Sequence, residues 1–185
     1  MRQRIFVSRC RTSLFYPSGM IYLGKERKMA MRRKEREVAD AAKIEEIIDR
    51  CDTCRLGMQD EGAPYIVPMS FGYARVDGVY ELYFHSALEG RKIALLKTGN
   101  LVGFEMDTSH HLVQGPRACD YTMRYQSVIG TGRPVFLEGE EKMNALERLM
   151  AHYASEKLPF SEKWLERIAV FKIVAEQLSC KENLQ

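Results

Sequence analysis

The residues of this chain best suited to chemistry lie in one run, Tyr83 to Lys92, YFHSALEGRK. It offers an imidazole at His85, a hydroxyl at Ser86, a glycine at Gly90 and cations at Arg91 and Lys92. Cations combined with hydroxyl or backbone donors are what a dianion such as a phosphate requires. A strand end that hands over to a helix start is a favourable place to hold one. The same residues also describe an ordinary solvated helix start, and spacing does not separate the two readings. His85 by itself suits a general acid, a metal ligand or a satisfied strand-end histidine. No P-loop or GxGxxG fingerprint accompanies the run.

The elements that must position these residues can be read around them. PYIVPMSFGYARVDGVYELYF predicts a hairpin, with strands over Tyr65 to Tyr73 and Val79 to His85 and a tight turn at Asp77-Gly78. Pro68 marks an edge, a bulge or backbone that faces a ligand. Leu88 to Thr98 predicts a short helix with Ile93, Leu95 and Leu96 inward and Gly99 closing it. Before the hairpin, Glu37 to Arg50 has the apolar spacing of an amphipathic helix, and Cys54 to Met58 of a short strand.

After it come a strand over Leu101 to Met106, a loop over Thr108 to Cys119, and a long bent strand over Tyr121 to Leu137. Gly130 and Gly132 are natural sites for a corner in that strand. A helix over Glu138 to Ser155, a short helix begun by Ser161 and a last strand over Ile168 to Leu178 complete the chain. Met58, Met69, Met106 and Met123 are expected in the core. Too few helices alternate with strands for a doubly wound parallel sheet. The pattern predicts a mainly β fold, a partly closed antiparallel barrel with peripheral helices.

The 185 residues suffice for one domain with a full core. No apolar run approaches the roughly 18 to 20 residues that span a bilayer, so a soluble protein with no membrane partner is expected. The net charge of +3 conceals an asymmetry. Residues 1 to 36 hold eleven Lys/Arg against two Asp/Glu, whereas the remainder holds 17 against 23. A basic head can serve nucleic acid or a membrane. Here it is read as neither, because the amphipathic pattern starts only after Met29 or Met31, where translation is expected to begin. Residues 1–30 are thus an expected basic extension, disordered or not native, ahead of a domain over 31–185.

Five scattered cysteines suit a reducing cytoplasm better than a secreted disulfide scaffold. The lone CxxC of Cys51 and Cys54 is read as structural or incidental. His110-His111 has no carboxylate or thiol at ligand spacing, so no metal site is assigned.

Met31-Arg32-Arg33, YIVPMSFGY, FHSALEGRK, YQSVIGTGRPVFLE and VFKIVAEQLSCKEN occur in this order. In them the chain resembles the pyridoxamine 5′-phosphate oxidase-related, FMN-binding split-barrel family, closest to its nitroimidazole-resistance (Nim-type) branch. The likeness runs from about Met31 to Asn183, and its most specific piece is H-x-A-x-x-G-x-K, met by His85, Ala87, Gly90 and Lys92. It implies a six-stranded antiparallel split β-barrel that dimerises, with two FMN sites at the subunit interface. It also implies that Val67, Pro68, Met69 and Ser70 line the isoalloxazine, and that His85, Ser86, Arg91 and Lys92 hold the ribityl phosphate. Tyr125, Ser127 and Val128 would close the site.

Basic residues that bind substrate phosphate near the C-terminus in pyridoxamine phosphate oxidases reduce here to Lys181, so that substrate is not expected. The expectation is a cytoplasmic homodimeric flavoprotein, an oxidoreductase that reduces a small electron-poor substrate such as a nitroimidazole or nitroaromatic. His85 is its candidate catalytic residue. The alternative is a flavin or haem carrier without catalysis, since some relatives bind haem or a deazaflavin; His85 or His111 would then ligate haem.

Overall fold

The computed structural model describes residues 32–156 and 158–184. The expected extension over residues 1–30 lies outside the described residues. The strands are β1 (Glu37–Val38), β2 (Cys54–Met58), β3 (Tyr65–Met69), β4 (Gly72–Val76), β5 (Val79–Ala87), β6 (Val102–Val113), β7 (Thr122–Leu137) and β8 (Ile168–Asn183). The α-helices are α1 (Ala41–Asp49), α2 (Arg91–Lys97), α3 (Gly139–Tyr153) and α4 (Glu162–Leu165). Strands pair antiparallel in the order β3-β2-β6-β7-β8-β5-β4, with β1 added beside β8. This is the expected mainly β class with peripheral helices.

Eight strands stand where the resemblance implies six, partly because β1 is only a two-residue pairing. The other cause is a break in the expected strand over Tyr65 to Tyr73. β3 pairs with β2, whereas β4 pairs with β5. Between them the Phe71 N–H donates to the Tyr153 hydroxyl at 2.9 Å, and that hydroxyl donates to the Asp52 carbonyl at 2.9 Å. A side chain at the end of α3 thus takes the hydrogen bond that a neighbouring strand would have satisfied. Pro68 lies in β3, the terminal strand of the order, where a missing N–H costs no ladder bond.

Local chemistry explains the rest. The Asp40 carboxylate accepts the Lys43 N–H at 2.8 Å and so caps α1, which buries Ile44, Ile47 and Ile48. Asp77 and Gly78 turn between β4 and β5 at φ 50° and 84°, the left-handed pair favoured in two-residue hairpins. The corner expected in β7 is present as a register shift between Thr131 and Gly132. A Cβ on Gly130 would overlap the Phe104 ring and the Gln177 carbonyl. β6 runs on to Val113, so much of the expected loop is strand, with an irregularity between Thr108 and His111 and Ser109 at φ 59°. β8 likewise extends past Leu178 to Asn183.

Two apolar clusters result. The first joins α1 and α2 to Phe71, Phe84, Phe104 and Phe171; the second joins α3 to Tyr83, Leu137 and Val170. Met58, Met69 and Met106 are core residues as expected, but Met123 is not. Strand alternation puts Met123 on the same open face of β7 as Tyr125 and Ile129. No helix among the described residues is long and apolar enough to cross a membrane.

Candidate functional site

The anion-type residues cluster where β5 ends and α2 begins. His85 and Ser86 still pair with Val170 and Ala169 of β8, and the period-two alternation sends their side chains to opposite faces of β5. His85 shares its face with Tyr83, over the second cluster; Ser86 shares the face of Phe84. Gly90 stands at the N-cap of α2 with φ 121°, a conformation that favours glycine. It turns the chain so that Arg91 and Lys92 follow directly.

The two cations differ. Arg91 is exposed and already engaged: its Nε donates to Asp60 at 2.5 Å, and its guanidinium lies 4.7 Å from the centre of the Tyr65 ring. These contacts tie the start of α2 to the start of β3. Lys92 is half-buried and makes no ion pair among the described residues. Burial pulls its pKa below the ordinary ammonium value. The nearby ammonium is felt at His85, whose pKa is pulled below the usual imidazole value, first by burial and second by Lys92.

His85 is itself half-buried, and its Nδ1 is fully buried without a hydrogen-bond partner. A buried polar atom without a partner is uncommon. Its ring meets the Trp164 indole at 5.6 Å between centroids, and Trp164 in turn stacks on Phe160 at 5.7 Å and 9°. Trp164 escaped the sequence reading, since nothing in its local pattern signals a contact with a residue 79 positions earlier. Asp60 and Tyr65, which hold Arg91, escaped it for the same reason.

The remaining nominated residues divide by face. Val67 and Met69 turn toward the core, so only their backbone can meet a ligand, whereas Pro68 and Ser70 are exposed. Val128 is completely buried and faces the core. Tyr125 and Ser127 face the other way, into a cleft of about 370 Å³ with Glu105, Asp107, His110 and Lys181. Beside that cleft Arg55 bridges Glu105 and Asp107 at 3.1 and 2.7 Å, and Asp107 pairs with His110 Nε2 at 2.8 Å. Burial and the adjacent Asp107 raise the Glu105 pKa.

The register places Pro68, Arg55, Glu105 and Ile129 side by side on β3, β2, β6 and β7. Pro68 and Ile129 therefore share one sheet face, three strand spacings or about 14 Å apart, with Ser127 and Tyr125 two and four residues further along β7. A larger cleft of about 510 Å³ flanks α3 near Arg148 and Phe160, and holds none of the nominated residues. Cys51 and Cys54 are buried free thiols, and burial pushes the Cys51 pKa up to about 12, which makes the thiolate inaccessible. Among the described residues no group of three or more His, Cys, Asp or Glu could hold a metal ion.

Comparison with known proteins gives a consistent picture. A family model described as pyridoxamine 5′-phosphate oxidase matches residues 40–182. A structure of a Bacteroides thetaiotaomicron protein assigned to 5-nitroimidazole antibiotic resistance is 37% identical. The match covers 79% of this chain and 86% of that one, with a TM-score of 0.68. The flavocytochrome Anf3 of Azotobacter vinelandii shares the fold at 20% identity, covering 87% and 75% of the two chains, with a TM-score of 0.71. An FAD and haem binding protein of Mycobacterium smegmatis does so at 17% identity, covering 81% and 74%, with a TM-score of 0.70. No curated protein matches the chain.

Proposed function

Because the chain belongs to the pyridoxamine 5′-phosphate oxidase family, we propose that it binds a flavin, FMN, and uses it to reduce a small electron-poor substrate of the nitroimidazole or nitroaromatic type. The observation that carries this reading is the pair of unsatisfied groups at the β5–α2 junction. Among the described residues Lys92 has no counter-ion, and His85 has a buried nitrogen without a partner. A phosphate supplies Lys92 with a counter-ion, and a small shift of the His85 ring that uncovers Nδ1 gives that nitrogen an oxygen acceptor. The residues present therefore fit the phosphate end of FMN.

In this reading Lys92 is the principal phosphate contact and His85 the second. Arg91 contributes mainly by position, because Asp60 already holds its guanidinium. Exposed Pro68 and the backbone of Val67 and Met69 offer an edge against which a flat ring can lie. Tyr125 and Ser127 lie on the same sheet face but more than about 14 Å away, so they serve the site best from a second copy of the chain. This supports the homodimer with interface sites that the resemblance implies. Val128 acts only through packing. The flavin, when bound, supplies the electron transfer; the chain supplies anchoring, a planar edge and exclusion of water. A cytoplasmic location is part of the same reading.

A flavin carrier without turnover is the second reading, and it too has an observation in its favour. Among the described residues no carboxylate bonds His85 to orient or recharge it as a proton donor; its ring neighbour is Trp164. FMN titrated into the purified protein, followed by anaerobic mixing with a reductant and a nitroimidazole, decides between them. Saturable binding with flavin reoxidation by the nitro compound supports the enzyme. Binding with no reoxidation by any acceptor supports the carrier, and no binding contradicts both.

A further inference from the structure

We infer that His85 is a proton-linked member of the anion site: a phosphate group and a proton bind together, the proton going to His85. The inference rests on the flavin-phosphate reading and adds a regulation to it. Phosphate affinity is set by pH through this chain's own imidazole.

The geometry behind it is the asymmetry of the ring's surroundings. The charged group that acts on His85 comes from α2 and is a cation, Lys92. From α4 the ring meets neutral Trp164, and across the ladder from β8 it meets Val170. No carboxylate is among these neighbours. Nδ1 is buried with no partner, so a proton there would bury an unsatisfied N–H beside an uncompensated ammonium. Both penalties favour neutral imidazole in the unliganded chain, in the same direction as the effects of burial and of Lys92.

A phosphate reverses both. Its charge compensates Lys92, and once the ring shifts enough to uncover Nδ1 its oxygens supply the acceptor that an imidazolium N–H requires. The imidazole is thus drawn from neutral to charged on binding. Linkage fixes the sign. A site whose pKa rises on binding takes up protons, so affinity increases as pH falls between the bound and the free pKa of His85. The slope is at most about tenfold per pH unit for one proton. The phosphate's own protonation, near pH 6, acts in the opposite sense and limits the useful window to higher pH.

Trp164 is the chain's one tryptophan and lies against His85, so its emission reports the ring's charge. Full-length protein is titrated with acid while tryptophan fluorescence is followed, without and with saturating inorganic phosphate, which does not absorb the emission. The expected result is a step that phosphate moves to higher pH, and that His85→Asn removes. In phosphate-free buffer Lys92→Met moves the step upward as well, because it removes the repelling charge. FMN calorimetry in two buffers of different ionisation heat then shows net proton uptake above pH 7, and riboflavin shows none.

FMN binding with no proton uptake and an unmoved step overturns the inference and leaves the flavin reading standing. Failure of both FMN and phosphate to bind overturns the two together. Proton uptake that persists in His85→Asn assigns the linkage to another group and also overturns the inference.

Discussion

The His85 ring lies 5.6 Å from the Trp164 indole, centroid to centroid, and Trp164 is braced from behind by Phe160 in a near-parallel stack. A histidine at the end of a central strand is thereby covered by an aromatic pair instead of being turned to water or to a carboxylate. Burial is accordingly the largest influence on its protonation.

Removing that cover has a signed consequence. Trp164→Leu uncovers the imidazole, so its pKa rises toward the ordinary histidine value, as measured by proton NMR of the ring in the absence of ligand. Loss of the aromatic contacts destabilises the fold by about 0.5–1.5 kcal/mol. An unchanged His85 pKa would show that the indole is not what desolvates the ring.

The two neighbouring cations are expected to separate in their effects. Lys92→Ala deletes an ammonium with no other partner among the described residues, and flavin affinity is expected to fall by about 1.5–3 kcal/mol, as for loss of a charged hydrogen bond. Arg91→Ala deletes a guanidinium already bound by Asp60 and stacked on Tyr65, and costs less. Quenching of FMN fluorescence by the two variants measures the order. A larger loss for Arg91 would place the phosphate on the Asp60 side of the helix start.

Thiol chemistry should follow burial. Cys51, Cys54 and Cys180 are buried, and burial raises all three pKa values, to about 11 for Cys180. Cys119 is exposed. Brief alkylation of the native protein at pH 7.5, read by peptide mass spectrometry, is expected to label Cys119 and spare the other three until the protein unfolds. Labelling of Cys51 in the folded state would revive a redox role for the CxxC.

The strand corner gives a stability contrast. Gly130→Ala drives a methyl into the Phe104 ring and the Gln177 carbonyl, and is expected to cost about 1–3 kcal/mol or more. Gly103→Ala meets its nearest neighbour, the Gly57 carbonyl, at an ordinary 3.7 Å and is expected to leave the fold in place. Denaturant midpoints of the two variants test this, and equal midpoints would mean that the corner relaxes freely.

What could be read from the sequence was what short segments decide by themselves. The Asp77-Gly78 turn, the periodicity of α1 and α3, and the corner glycines of β7 all belong to this class. The residue types at the β5–α2 junction were legible in the same way; that they hold an anion is proposed. Features set by partners far along the chain stayed hidden. Tyr153 ends β3 by capturing the N–H of Phe71, 82 positions earlier. Asp60 takes up Arg91, and opposite strand faces separate His85 from Ser86 and Val128 from Ser127. Pairing with β7 carried β6 and β8 beyond their apolar runs, which pattern alone marks as their ends.

The central claim is that the β5–α2 junction holds the phosphate of a flavin. Its most direct test is the absorbance spectrum of the purified protein together with the mass of its extracted cofactor, for the wild type and Lys92→Ala side by side. The account predicts a flavin spectrum, an extracted mass equal to FMN, and a marked loss of both in the variant. A colourless protein that takes up no added FMN, or a Soret band without flavin, would contradict it.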